Sequence, residues 1–217
     1  MRIGIFGGTF NPPHPGHKHL AEEIRHKAKL DKIIIIPAST PPHKVSKELV
    51  DGVHRMKMCE LLFNDDFYEI SDIEIKRQGK SYTVDTVMLL KDIYPEDELF
   101  LIIGADMLMS FDKWYRYEDI LSEVKLCVTV RDNDVNVSDL CGFAKRVLKL
   151  DSNKDEIIIS DVEPWICSST AVRKHLADSY RHGRLTVSSD VYDYIRLNLL
   201  YESPFMEYKR LLREKLD

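Results

Sequence analysis

Residues 3 to 17, IGIFGGTFNPPHPGH, decide how the rest of the chain is read. Ile3 to Phe6 predict a short buried strand. Gly7 and Gly8 follow at once, then Thr9, a kink of prolines, and two histidines three apart, His14 and His17. A periodic apolar pattern starts at Leu20. The order is strand, glycine turn, polar loop, helix, by which an α/β protein turns backbone N–H groups and a helix N-terminus toward an anion. The glycines permit a sharp turn and close approach of a ligand to the backbone. Pro12, Pro13 and Pro15 stiffen the loop and exclude helix until the run ends, so the helix is expected from about 17 to 29. Imidazole N–H groups at the mouth of such a loop suit phosphate oxygens.

Working outward, Leu20, Ala21, Ile24 and Ala28 mark the apolar face of that first helix. Lys32 to Pro37 (KIIIIP) lacks alternation, which predicts a strand covered on both sides, as in a parallel sheet. Residues 47 to 64 read as a helix with Val50, Val53, Met56 or Met58, Leu61 and Leu62 inward. Phe67 to Ile75 reads as extended, 77–81 as a charged turn, and 83–93 as a helix capped by Thr83. Further strands are expected at 99–103, 125–130 and 156–160. Two short helices between 107 and 122, a helix up to about 149 and one over 168–177 separate and follow them. Ser188 opens a helix carrying Val191, Ile195 and Leu199, and 204–216 reads as a charged, solvated terminal helix. Strands alternating with helices predict a doubly wound, mostly parallel α/β sheet.

The 217 residues suit one large domain at 1–183 with a small helical extension at 184–217. An apolar share of 44% supplies a core, and a net charge of -5 speaks against nucleic acid and anionic membrane as partners. Cys59, Cys127, Cys141 and Cys167 form no C-x-x-C pair and read as reduced, mostly buried thiols. No signal peptide and no membrane-length apolar run is seen, so a cytoplasmic protein is expected, as monomer or homodimer.

Ligands of such sheets sit beyond the carboxyl ends of the strands. The unusual residues gather there: Gly7 to His17, Pro37 to Lys44, Gly104 to Asp106, Arg131, and Trp165 to Arg173. His14 and His17 read either as phosphate contacts or as a plain helix-capping pair; a metal would want a third ligand at a usual interval. Ser168, Ser169, Thr170 and Arg173 read either as a simple N-cap with a surface arginine or as a triphosphate cradle. Lys44 and Arg131 are either phosphate or carboxylate partners or ordinary surface charge. Asp106 suits a ribose hydroxyl or a helix cap. Trp114 and Tyr115 suit a flat ring or the core. The dinucleotide and P-loop glycine patterns are absent.

Taken together, these fragments resemble the nicotinate-nucleotide adenylyltransferase family, in the wider HxGH nucleotidyltransferase superfamily. The likeness rests on GGTFNPPHPGH (7–17), PPHK (41–44), SYTVDT (81–86), GAD (104–106), Trp114-Tyr115, Arg131 and SSTAVR (168–173), in this order over nearly the whole chain. The related pantetheine-phosphate adenylyltransferases are shorter, usually carry serine and aspartate where this chain has Thr9 and Asn11, and lack the SYTVDT block.

The resemblance implies a Rossmann-like nucleotidyltransferase fold and transfer of AMP from ATP to nicotinic acid mononucleotide, with Mg2+, giving deamido-NAD and pyrophosphate. It implies that His14 and His17 meet the ATP phosphates, and that Gly7, Gly8, Thr9 and Phe10 offer backbone contacts beside both nucleotides. Ser168, Ser169, Thr170 and Arg173 would hold the β- and γ-phosphates, and Asp106 would face the adenosine. Lys44 would lie near the mononucleotide phosphate or the reacting phosphates, with Arg131 adding charge on the mononucleotide side. Thr83, Thr86, Trp114 and Tyr115 would surround the nicotinate. No protein side chain is expected to be dedicated to the metal. The chain departs from the pattern at Cys167, where Ile is usual, in the acidic 132–137 loop, and at 184–190. Competing readings are transfer to the amidated mononucleotide or to phosphopantetheine, and a silent nucleotide-binding regulator.

Overall fold

The apolar run that opens the chain forms β1 (Arg2–Gly8), and the isoleucine run forms β2 (Lys32–Pro37). Between them lies α1 (Pro15–Ala28). Then follow α2 (Gly52–Leu62), β3 (Tyr68–Ile70), α3 (Ile73–Arg77), α4 (Thr83–Ile93) and β4 (Glu98–Gly104). The second half carries α5 (Ala105–Leu108), a 3-10 turn at Phe111–Lys113, α6 (Tyr117–Glu123) and β5 (Val124–Val130). It continues with α7 (Val137–Phe143), which runs into a π turn, β6 (Ile157–Asp161), α8 (Ser169–Asp178) and α9 (Ser189–Leu197). The computed structural model describes residues 1–39, 49–77, 79–130, 136–150, 154, 156–161, 167–178 and 186–201. Lys44 with its PPHK segment, Arg131, most of the acidic loop, Trp165 and the expected terminal helix at 204–216 lie outside them.

The six strands pair in parallel in the order β3-β2-β1-β4-β5-β6. The chain winds outward one way from β1 and the other way from β4. The crevice between those two strands is therefore the topological switch point, where ligands of open α/β sheets bind. Ile33, Ile34, Ile35 and Ile36 are all fully buried, as an unalternating run in a two-sided sheet requires.

One face of the sheet is covered by Leu20, Ala21 and Ile24 of α1, Met58 and Leu62 of α2, Val172 and Leu176 of α8, and Val191 and Ile195 of α9. The other carries Val84 and Val87 of α4, Ile120 of α6 and Leu140 of α7. Val187, Val191, Tyr192, Ile195 and Leu200 thus share the core of the first face.

Several boundaries differ from the sequence reading. Pro15 does not delay α1 but opens it, because proline's fixed φ suits the first helical position and its missing N–H costs nothing there. Residues 73–77 are helical rather than extended: Ser71 Oγ accepts from the Ile73 N–H, and the Asp72 carbonyl accepts from the Lys76 N–H at 2.8 Å. Tyr82, not Thr83, occupies the N-cap of α4. The inner face of α2 is Arg55, Met58, Cys59 and Leu62, whereas Val53 is 70% exposed. The chain leaves the helix before Leu199, whose φ is 55°, so Leu199 is exposed and Leu200 is buried in its place. Cys59 and Cys127 are buried as expected, but Cys141 is exposed.

Candidate active site

The loop from Thr9 to His14 is built on two close contacts. Phe10 has a left-handed backbone, φ 47°, which turns its ring back under Gly8. A Cβ on Gly8 would stand 2.9 Å from that ring, so only glycine fits. The Phe10 ring is then buried edge-on between Phe6 and His17, with centroids 5.5 and 5.1 Å away. Its backbone, not its ring, remains for a ligand.

His14 is the N-cap of α1, and its N–H donates to His17 Nδ1 at 3.1 Å. With Nδ1 an acceptor, the ring proton of His17 sits on Nε2, so the imidazole presents an N–H donor at its far end. The two rings lie 3.8 Å apart at 37°, and His14 is buried.

A second helix N-terminus faces the first. Ser168 Oγ caps α8 by accepting from the Ala171 N–H at 3.2 Å. Ser169 Oγ donates to the Pro12 carbonyl at 2.9 Å, and Arg173 Nη1 donates to the Asn11 carbonyl at 2.8 Å. Arg173 Nη2 also donates to Thr170 Oγ1 at 3.4 Å. The N-cap reading holds for Ser168, while Ser169 and Arg173 join α8 to the loop after β1.

Thr9, Phe10, Asn11, His14, His17 and Ser168 to Thr170 line one cleft of about 320 Å³ with Leu49, Cys167 and Arg173. Two helix N-termini and a guanidinium give it positive potential, which suits a polyphosphate. Among the described residues its lining carries no carboxylate. Burial raises the Cys167 thiol above its ordinary range.

The expected ring-side residues lie outside that lining. Trp114 stacks on Phe111 at 4.7 Å, and Tyr115, 59% exposed, leans on Tyr82 at 5.0 Å. Thr83 is half-buried at the start of α4. Thr86 is buried, with its hydroxyl donating to Glu74 Oε1 at 2.8 Å and accepting from Arg77 Nη1 at 3.2 Å. Both bonds commit that hydroxyl, and the Thr86 N–H points to the Tyr82 carbonyl at 3.5 Å. Asp106 is exposed in the first turn of α5, beyond β4, and Gly7, one residue before the end of β1, has open space where a Cβ would stand.

Sequence reasoning did not single out Asn11, Arg55 or Tyr201. Asn11 Oδ1 accepts from the Val50 N–H at 3.2 Å and from the Tyr201 hydroxyl at 2.7 Å. Burial raises the Tyr201 phenol, which stays a donor. A polar residue between a glycine turn and two prolines was the available signal for Asn11; for the other two the local sequence held none.

A cytidylyltransferase-like family profile matches residues 5–175. The nicotinate-nucleotide adenylyltransferase of Bacillus subtilis is 36% identical over 203 residues, spanning 93% of this chain and 99% of its own length. The chain belongs to the nicotinate-nucleotide adenylyltransferase family. A probable nicotinate-nucleotide adenylyltransferase of Carboxydothermus hydrogenoformans is 38% identical over 92% of this chain and 98% of its own. The fold agrees with a Plasmodium falciparum nicotinic acid mononucleotide adenylyltransferase complexed with NaAD. The TM-score is 0.72 at 18% identity, covering 92% of this chain and 97% of that one. The cleft described above lies beyond the carboxyl end of β1, one of the two strands that flank the switch point. No helix among the described residues is long and apolar enough to cross a membrane.

Proposed function

We infer that this chain transfers AMP from ATP to nicotinic acid mononucleotide, forming deamido-NAD and releasing pyrophosphate. Family membership supports the reaction. The observation that carries the site assignment is the convergence of His14, His17 and the α8 N-terminus with Arg173 on one cleft.

The chemistry asks little of acid–base groups. The mononucleotide phosphate oxygen is already ionised and is itself the nucleophile. It forms a bond to the α-phosphorus of ATP while the bond from that phosphorus to the β-bridging oxygen breaks, and the electron pair leaves with pyrophosphate. Catalysis is alignment plus stabilisation of charge on the α-phosphoryl oxygens and the departing group. On this reading His17 Nε2–H donates to the transferring phosphoryl, and His14 and backbone N–H groups of Gly8 and Thr9 bracket it. Arg173 and the N–H groups of Ser169 and Thr170 hold the β- and γ-phosphates. Thr83, Thr86, Trp114 and Tyr115 receive the nicotinate, with Lys44 and Arg131 supplying charge, and Asp106 faces the adenosine.

Among the described residues no three metal-ligating side chains converge, and no carboxylate lines the cleft. We assign Mg2+ to the phosphates of ATP: it would enter as part of that substrate and neutralise charge on the departing pyrophosphate. Incubation with ATP, Mg2+ and nicotinic acid mononucleotide tests the reading. Deamido-NAD and pyrophosphate in equal amounts are expected; neither product would refute it.

A further inference from the structure

Among the buried residues of α2, Arg55 is the charged one, and it is only 2% exposed. Its guanidinium meets carbonyl oxygens. Nε donates to Val50 at 2.9 Å, Nη1 to Thr9 at 3.0 Å and to Ala38 at 2.7 Å, and Nη2 to Ser39 at 3.4 Å. No ion pair to Arg55 occurs among the described residues. Burial pulls its pKa below the ordinary value, yet a guanidinium stays charged. A buried cation without a carboxylate is a poor source of stability, since an apolar side chain of similar volume usually serves as well or better.

What the four carbonyls share is their place. Thr9 follows β1, Ala38 and Ser39 follow β2, and Val50 precedes α2. The ladder between β1 and β2 ends at Gly8 opposite Pro37, with one more bond from the Ala38 N–H to the Gly8 carbonyl at 2.9 Å. Arg55 takes over where that ladder stops. The Ser39 N–H then donates to Ser81 Oγ at 3.1 Å, extending the connection to the segment that leads into Thr83.

We propose that Arg55 is a positioning residue for adenylyl transfer: its guanidinium fixes the separation between the loop after β1 and the loop after β2. This rests on the reading that Thr9 brackets the transferring phosphoryl and that the loop after β2 and Thr83 belong to the mononucleotide half. Each half-site persists without the clamp, but their alignment does not. A lysine keeps the charge and loses the fork that spans both loops.

The test is steady-state kinetics of Arg55→Lys and Arg55→Met beside the wild type, with thermal unfolding of each. A folded Arg55→Lys is expected to lose about 10²-fold in kcat, the scale of a misplacement near 1 Å. Its KM for ATP and for nicotinic acid mononucleotide should each stay within about threefold. Arg55→Met should lose at least as much. A purely structural role would lower Tm and leave kcat per folded molecule unchanged. A kcat within about threefold of wild type in either folded variant overturns the proposal, as does a loss confined to KM, or failure of both variants to fold. An inactive wild type would instead fault the adenylyl-transfer reading.

Discussion

Arg173 Nη1 donates to the backbone carbonyl of Asn11 at 2.8 Å, so the first turn of α8 and the loop after β1 are tied together across 162 positions of chain. Through this bond the last parallel strand's helix and the first strand's loop form a single wall of the cleft. Asn11 is gripped on its other side by Tyr201 and the Val50 N–H. The loop is therefore held from three distant segments before any ligand arrives, and little ordering cost is left to binding.

Arg173→Ala removes a cleft guanidinium and one of those ties. The expected outcome is a KM for ATP raised by about tenfold or more, the scale of a lost charge-assisted hydrogen bond. The KM for the mononucleotide should move far less. An unchanged ATP dependence would show that Arg173 serves only the loop.

His17→Ala tests the transition-state donor. Because the His14 N–H fixes which nitrogen of His17 carries the proton, the donor is oriented in advance. A loss of about 10²-fold in kcat, with ATP affinity nearly unchanged, is expected. A loss under about threefold would remove His17 from the chemistry.

Gly7→Ala and Gly8→Ala should part company. A Cβ on Gly7 meets nothing within 4 Å, so stability should hold within about 0.5 kcal/mol, while activity falls because the methyl takes space left for the ligand. A Cβ on Gly8 meets the buried Phe10 ring, and unfolding measurements should show a loss of about 1–3 kcal/mol. Full activity in Gly7→Ala would place the nucleotide elsewhere.

The four thiols offer a chemical map of the cleft. Burial pushes Cys127 up to about 12 and also raises Cys59, so neither should react with an aromatic disulfide in the folded protein. Exposed Cys141 should react first. Cys167 lines the cleft and should react slowly, and more slowly still with ATP present. Modification of Cys167 indifferent to ATP would contradict the assignment of this cleft to the triphosphate.

The frame was legible because its signals are local. Ile33 to Ile36 could only be a two-sided strand, Leu20, Ala21, Ile24 and Ala28 mark a helix face, and the chemistry-bearing residues gather after strands. The keystones were hidden for the opposite reason. Val53 reads as core and nothing local marks Arg55, yet Val53 is exposed and Arg55 is buried, where three loop carbonyls accept from it. The Tyr201 to Asn11 bond spans 190 positions, and no pattern within a helix or loop announces it. Thr86 reads as a residue beside the nicotinate, yet its hydroxyl is claimed by Glu74 and Arg77 of α3, a helix whose first residues read as extended and whose last reads as a turn.

The most direct test is the initial rate of pyrophosphate release with ATP and Mg2+, comparing nicotinic acid mononucleotide with its amide. A preference of about 10²-fold or more for the acid, near 2.7 kcal/mol of transition-state discrimination, is the result expected. Equal rates with the two mononucleotides, or release with neither, would contradict a nicotinate-specific adenylyl transfer.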